Sequence, residues 1–266
     1  MKKAFGIISA LVVLASCQWG EQAKKEDGIF RDTLSYEVKK IKERDFGCGK
    51  GPDSICAHLD IQYPEFKDQP KLNDSIARKL LIMFAMDGRA DSSLQAYAKK
   101  FIESFRQFKK DFPDTQMYYE LENHAKVMHQ DSGLVVLEVG GYTFQGGAHG
   151  ASYTGYINWD TQANKELELN DIMVDNYKDS LTAVAEKIFR KQEKLTDTSS
   201  LARDYFFKDN KFALNENFAI TPIGLKFLYN QYEIKPYAAG QTELIIPYAQ
   251  LKSIIRPKTA VSQYVK

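Results

Sequence analysis

The segment Gly146-Gly147-Ala148-His149-Gly150 concentrates the most unusual chemistry of the chain. Gly146, Gly147 and Gly150 let the backbone take positive φ angles and let another group approach it closely. His149 among them can hydrogen-bond a ligand or titrate near neutral pH. A plainer reading is a glycine-built bend between two strands, its histidine satisfying a nearby carbonyl. A phosphate cradle would have to open a helix and run on into Gly-Lys-Ser/Thr; this loop leads into β-prone residues, so nucleotide binding is not expected. No Gly-x-Ser-x-Gly nucleophile elbow occurs, and Ser152 is near His149 only along the chain.

Glu233-Ile234-Lys235-Pro236-Tyr237-Ala238-Ala239-Gly240 is the second distinctive stretch. Pro236 and Gly240 mark an irregular loop, in which Tyr237 can offer a ring and a hydroxyl to a ligand or pack against its own domain. His124 and His129 are separated by an odd spacing, which on a regular strand points them to opposite faces. They cannot share a metal ion without a bulge. Cys48 and Cys56 flank the turn-prone Gly49-Lys50-Gly51-Pro52-Asp53, and a disulfide closing that loop is the expectation in an oxidising compartment. A zinc site built on Cys56 and His58 would need further ligands, and no second pair is present. No metal, cofactor or assembled catalytic set is expected.

The elements that must position these residues are mixed. Leu34–Val38 alternates as a half-buried strand, and 55–63 is a second, ended by Pro64. Asn73 or Asp74 can cap a helix carrying Ile76, Leu80, Met83 and Phe84, closed near Asp87-Gly88. A second helix from Asp91-Ser92 places Leu94, Ala98, Phe101, Phe105 and Phe108 on one face and stops before Pro113. Residues 117–130 and 134–144 form a hairpin around Asp131-Ser132-Gly133, and 151–159 continues the sheet. A third helix carries Tyr177, Leu181, Val184, Ala185, Ile188 and Phe189. Strands follow at 218–220, 225–229 and 243–247, then a short terminal helix over 248–255. Helices beside hairpins, without regular βαβ alternation, make an α+β fold: antiparallel sheets with helices packed on one side. Two consecutive parts are expected, 34–160 and 161–256, with a tail at 257–266.

The N-terminus reads as an export signal. Lys2 and Lys3 precede the uncharged run Ala4–Leu14, and Leu14-Ala15-Ser16-Cys17 resembles the lipobox of bacterial lipoproteins. As a helix the run is about 16 Å long, too short for roughly 30 Å of hydrocarbon. Cleavage after residue 16 would leave Cys17 as the lipidated N-terminus, followed by a polar tether over 17–33; an ordinary signal peptide is the alternative. Residues 1–16 hold two of the 36 basic residues and no acid, so 34 basic residues then face 35 acidic ones. That near-neutral balance gives no bulk attraction to nucleic acid. Gln18 is not the aspartate that retains some lipoproteins at the inner membrane, so the outer membrane is the expected location.

Gly146–Gly150, Phe218-Ala219-Ile220-Thr221-Pro222-Ile223-Gly224-Leu225, Tyr232–Gly240 and Ile246-Pro247-Tyr248 together resemble the extracellular domain family of RsiV-type anti-sigma factors. A related module accompanies the catalytic domain of peptidoglycan deacetylases of the PdaC type. The likeness runs from about Leu34 to Ile255, and the cysteine pair resembles lipoprotein members from Bacteroidetes. It implies an envelope binding domain for lysozyme-like proteins or peptidoglycan, with Gly146, Gly147, His149, Gly150, Tyr237 and Gly240 as the candidate surface. The chain departs from RsiV in lacking a cytoplasmic segment, and from PdaC in lacking a deacetylase metal triad. Two alternatives stand beside this reading: an envelope hydrolase using His149, and a scaffold lipoprotein binding another envelope protein.

Overall fold

β1 (Tyr36–Arg44) and β2 (Ala57–Phe66) pair antiparallel across the disulfide loop, and the alternation of β2 sends Leu59 and Ile61 inward. The computed structural model describes residues 34–85, 89–131 and 133–265. The expected signal, Cys17, the tether up to residue 33 and the Asp87-Gly88 helix stop lie outside these. Among the described residues no helix is long and apolar enough to cross a membrane.

Two helices follow, α1 (Pro70–Ile82) and α2 (Leu94–Asp111). The expected cap at Asn73 or Asp74 is corrected. The helix starts earlier, at Pro70, whose fixed φ suits a first turn. Asn73 instead accepts from the Phe66 amide and donates to the Phe66 carbonyl, both at 2.8 Å, fixing the strand-to-helix corner. Ser93 caps α2 by accepting from the Ala96 amide. Leu94, Ala98, Phe101 and Phe105 face the sheet, as their three-and-four spacing requires.

The helix pair carries the chain across to β3 (Tyr119–Asp131), which lies parallel to β2. β4 (Leu134–Phe144), β5 (Ala151–Asp160) and the two-residue β6 (Lys165–Glu166) complete a six-stranded sheet in sequential order, antiparallel apart from the β2–β3 pair. The β5–β6 hairpin spans the expected division at 160/161. α1 and α2 cover one face, burying Leu72, Ile76, Leu80, Leu121, Val135 and Leu137. Each such side chain contributes about 1.5–3 kcal/mol on burial.

Among the described residues the opposite face is covered mainly over β4 and β5, where Leu134, Val136 and Tyr156 meet the C-terminal part. That part holds the short α3 (Leu169–Ile172), α4 (Lys178–Gln192) and a three-stranded antiparallel sheet of β7 (Phe218–Thr221), β8 (Gly224–Tyr229) and β9 (Thr242–Pro247). Leu181, Ala185 and Phe189 of α4 join Phe227, Leu244 and Ile246 in its core. The expected helix over 248–255 is a single 3₁₀ turn, Tyr248–Gln250, followed by turns. Ile255 then bridges back to Met173, diverting the backbone from a helical path. The architecture is α+β, as its sequence patterning requires.

Candidate functional site

The glycine-histidine loop and the Tyr237 loop meet, though 88 positions separate their aromatic residues (237 less 149). The His149 ring stacks on Tyr237 with centroids 4.0 Å apart and planes 17° from parallel. Tyr232 lies beside both, 5.6 Å from Tyr237 and 6.2 Å from His149. His149 Nδ1 is 2.9 Å from the Gly150 carbonyl, and Nε2 is 3.3 Å from the Tyr232 hydroxyl. A carbonyl only accepts, so Nδ1 carries the proton and, in the neutral ring, Nε2 accepts from Tyr232. The carbonyl contact of the plainer reading is therefore present, and so is the aromatic surface.

Both loops have local causes. Gly146 and Gly147 sit at φ +94° and +96°, which turn the chain between β4 and β5. Gly150 is demanded by space, since a Cβ there would stand 2.4 Å from the Tyr142 ring. Tyr142 thus lies beneath the loop. Burial pushes its hydroxyl pKa up, reinforced by the nearby Tyr118, Glu120, Tyr237 and Glu122. On the other side, Pro236 leads into one 3₁₀ turn, Tyr237–Ala239, which ends at Gly240 with φ +70°. Tyr232 also adopts positive φ, at +65°.

Amide side chains hold the second loop onto β5. Asn230 accepts from the Thr154 amide at 2.8 Å and donates to its carbonyl at 3.0 Å. Gln241 donates to Asn230 Oδ1 and to Thr154 Oγ1, and Asn217 also reaches the Thr154 carbonyl. Glu233 accepts from the Asn230 amide and from Asn215. Sequence reasoning singled out Tyr237 and missed Tyr232, Asn230 and Tyr142. Only the first two lie in or next to a stretch that drew attention.

The other candidates fall elsewhere. Cys48 and Cys56 are bonded, with Cα atoms 5.8 Å apart, so Cys56 is not a thiolate ligand. A bulge at Val127/His129 puts His124 and His129 on one face after all, opposite Gly140 and Val136 of β4. That register still separates them by about 13 Å at roughly 3.3 Å per residue. His58 pairs with Glu120 and His124 with Glu138, each at 3.4 Å. Among the described residues no group of three or more metal-type side chains converges. A cleft of about 490 Å³ also opens between the two parts, lined by Lys79, Tyr153, Glu166, Tyr177 and Asn217.

Comparison with known proteins divides the chain near the loop. Residues 52–152 match the family described as "Deacetylase PdaC", and residues 170–249 match the one described as "Protein of unknown function (DUF3298)". The first part is thus similar to the PdaC model and the second to the DUF3298 model. The crystal structure of a DUF3298 family protein from Pseudomonas aeruginosa PAO1 is 28% identical with a TM-score of 0.70, covering 86% of this chain and 97% of that one. A DUF3298 family member from Bacteroides fragilis shares the fold at 24% identity and a TM-score of 0.67, over 88% of this chain and 99% of that one. The peptidoglycan-N-acetylmuramic acid deacetylase PdaC of Bacillus subtilis is 23% identical over 206 residues, 74% of this chain. The match spans 43% of that deacetylase. The PdaC match covers the glycine-histidine loop, and the DUF3298 match covers the Tyr237 loop.

Proposed function

We propose that the PdaC-type and DUF3298-type domains of this chain form a non-catalytic binding module of the cell envelope, anchored through lipid on Cys17 and directed at the glycan of peptidoglycan. The observation that carries this reading is the His149–Tyr237 stack with Tyr232 beside it. The exposed His149 and Tyr232 rings and the half-buried Tyr237, backed by Asn230, Gln241 and Thr154, offer apolar faces together with amide and hydroxyl groups, the combination that orients a sugar ring. The relationship to a cell-wall deacetylase supports the ligand class. The hydrogen-bond partners given to His149 are a carbonyl and a phenol, an arrangement that supports binding over nucleophile activation.

Sedimentation of the full chain, purified in detergent, with insoluble peptidoglycan tests the reading. The chain is expected to pellet with the polymer, and Tyr237→Ala to remain in the supernatant. A wild-type chain that stays soluble would overturn the proposal. Capture by immobilised lysozyme in place of peptidoglycan would reassign the same surface to a protein partner.

A further inference from the structure

The six-stranded sheet has one face under α1 and α2, and among the described residues the other is covered mainly over β4 and β5. Among the described residues nothing covers that second face over most of β1 to β3, and it is largely polar, with Tyr36 and Val38 at its edge. The strand registers line its residues up in rows across the sheet. One row runs Lys40, Gln62, His124, Gly140, Thr154; the next runs Lys42, Asp60, Glu122, Tyr142, Ser152. The first row ends at Thr154, where Asn230 and Gln241 bind. The second passes through Tyr142, beneath Gly150 and within electrostatic reach of Tyr237. Both rows therefore run from the free edge of the sheet to the aromatic cluster. At the far end lies a depression of about 440 Å³ lined by Tyr36, Val38, Asp60, Gln62, Glu122 and His124.

We propose that this open face is an extended track for a neutral amino-sugar polymer, with the His149–Tyr237 cluster as its anchoring end; this rests on the glycan reading above. Charge decides the class of occupant. Lys42 pairs with Asp60 at 2.7 Å, and Lys40 and Lys126 share the face with Glu120, Glu122 and Glu138, so both signs are present on it. Neither a polyanion nor a polycation meets a surface of one sign there. An uncharged chain rich in hydroxyl and acetamido groups meets donors and acceptors in alternation, among them the side-chain amide of Gln62 in the depression. Four strand-to-strand steps of about 4.8 Å make the track about 19 Å wide, longer than one disaccharide.

The test compares N-acetylglucosamine dimer and hexamer binding to the full chain in detergent by calorimetry. Hexamer is expected to bind more tightly than dimer. Gln62→Trp, which blocks the track far from the cluster, should weaken hexamer about tenfold and leave dimer unchanged. Gln62→Ala should act in the same direction with a smaller effect, and unchanged thermal melts check that both variants are folded. Equal affinities for the two ligands, with hexamer binding insensitive to both variants, would overturn the track while sparing the cluster. Failure of both ligands to bind the wild type would remove the track and the cluster together.

Discussion

The side-chain amide of Asn158 acts as a strand partner for Ile220. Its Oδ1 accepts from the Ile220 amide at 2.7 Å, and its Nδ2 donates to the Phe218 carbonyl at 2.8 Å. One buried residue of the first sheet thereby satisfies two backbone groups at the edge of the second. Asn158→Leu would leave both unpaired in a dry interface and is expected to lower stability by about 2–3 kcal/mol. Urea denaturation checks it; a midpoint equal to wild type would mean that water replaces the amide.

Gly150→Ala tests the seating of the loop. The added methyl meets the Tyr142 ring at 2.4 Å, so Tyr142 or the loop must move. A cost of about 1–3 kcal/mol is typical of such overpacking. The expected result is a folded protein with weakened peptidoglycan sedimentation, because Tyr142 lies beneath the His149–Tyr237 pair. Full retention of sedimentation would show that the seating of the loop does not matter for binding.

His129 makes stability depend on pH. Burial lowers its pKa below the ordinary 6.5, with Asp131 opposing the shift. The unfolded chain thus takes up a proton at a higher pH than the folded one. The contribution is present above about pH 6.5 and is lost as pH falls toward the lowered folded value. His129→Gln should flatten the difference between melts at pH 7.5 and pH 5.5. An unchanged difference would assign the acid sensitivity to other groups.

The disulfide closes a short loop, with a sequence separation of 8 between Cys48 and Cys56. Loop-closure entropy for that length corresponds to about 2.5 kcal/mol. The double variant Cys48→Ser/Cys56→Ser is expected to lose about that much in chemical denaturation. It should keep peptidoglycan sedimentation, since the loop's side-chain and carbonyl bonds run to Arg44 rather than to Tyr237. Loss of sedimentation in a folded double variant would place this loop in the binding surface.

Periodicity alone locates most elements, because α2 and the β3–β4 hairpin display apolar spacing at close to full length. It is silent on which strands pair across a long connection. Nothing in Ala57–Phe66 shows that its neighbour is Tyr119–Asp131, lying parallel beyond two helices. Bulges are hidden for the same reason: a single extra residue near Met128 reverses the face of His129 without leaving a compositional mark. At the candidate site, the glycine pattern and Tyr237 stand out because turns and loops select unusual residues. Asn230 does not, although it fastens the second loop to β5. A surface amide that mimics a strand and one that faces solvent look identical in one dimension.

β5 lies beside a strand of only two residues, so most of its outer hydrogen-bonding row would be open. Asn230, Asn217 and Lys79 occupy the Thr154 and Tyr156 positions of that row. At the far edge of the sheet, β1 carries Lys39, Lys40, Lys42 and Arg44. An unsealed edge invites a second chain to dock by strand addition. The same amides that fasten the Tyr237 loop therefore guard against aggregation, and damage to Asn230 should be felt first as copies of the protein sticking to one another.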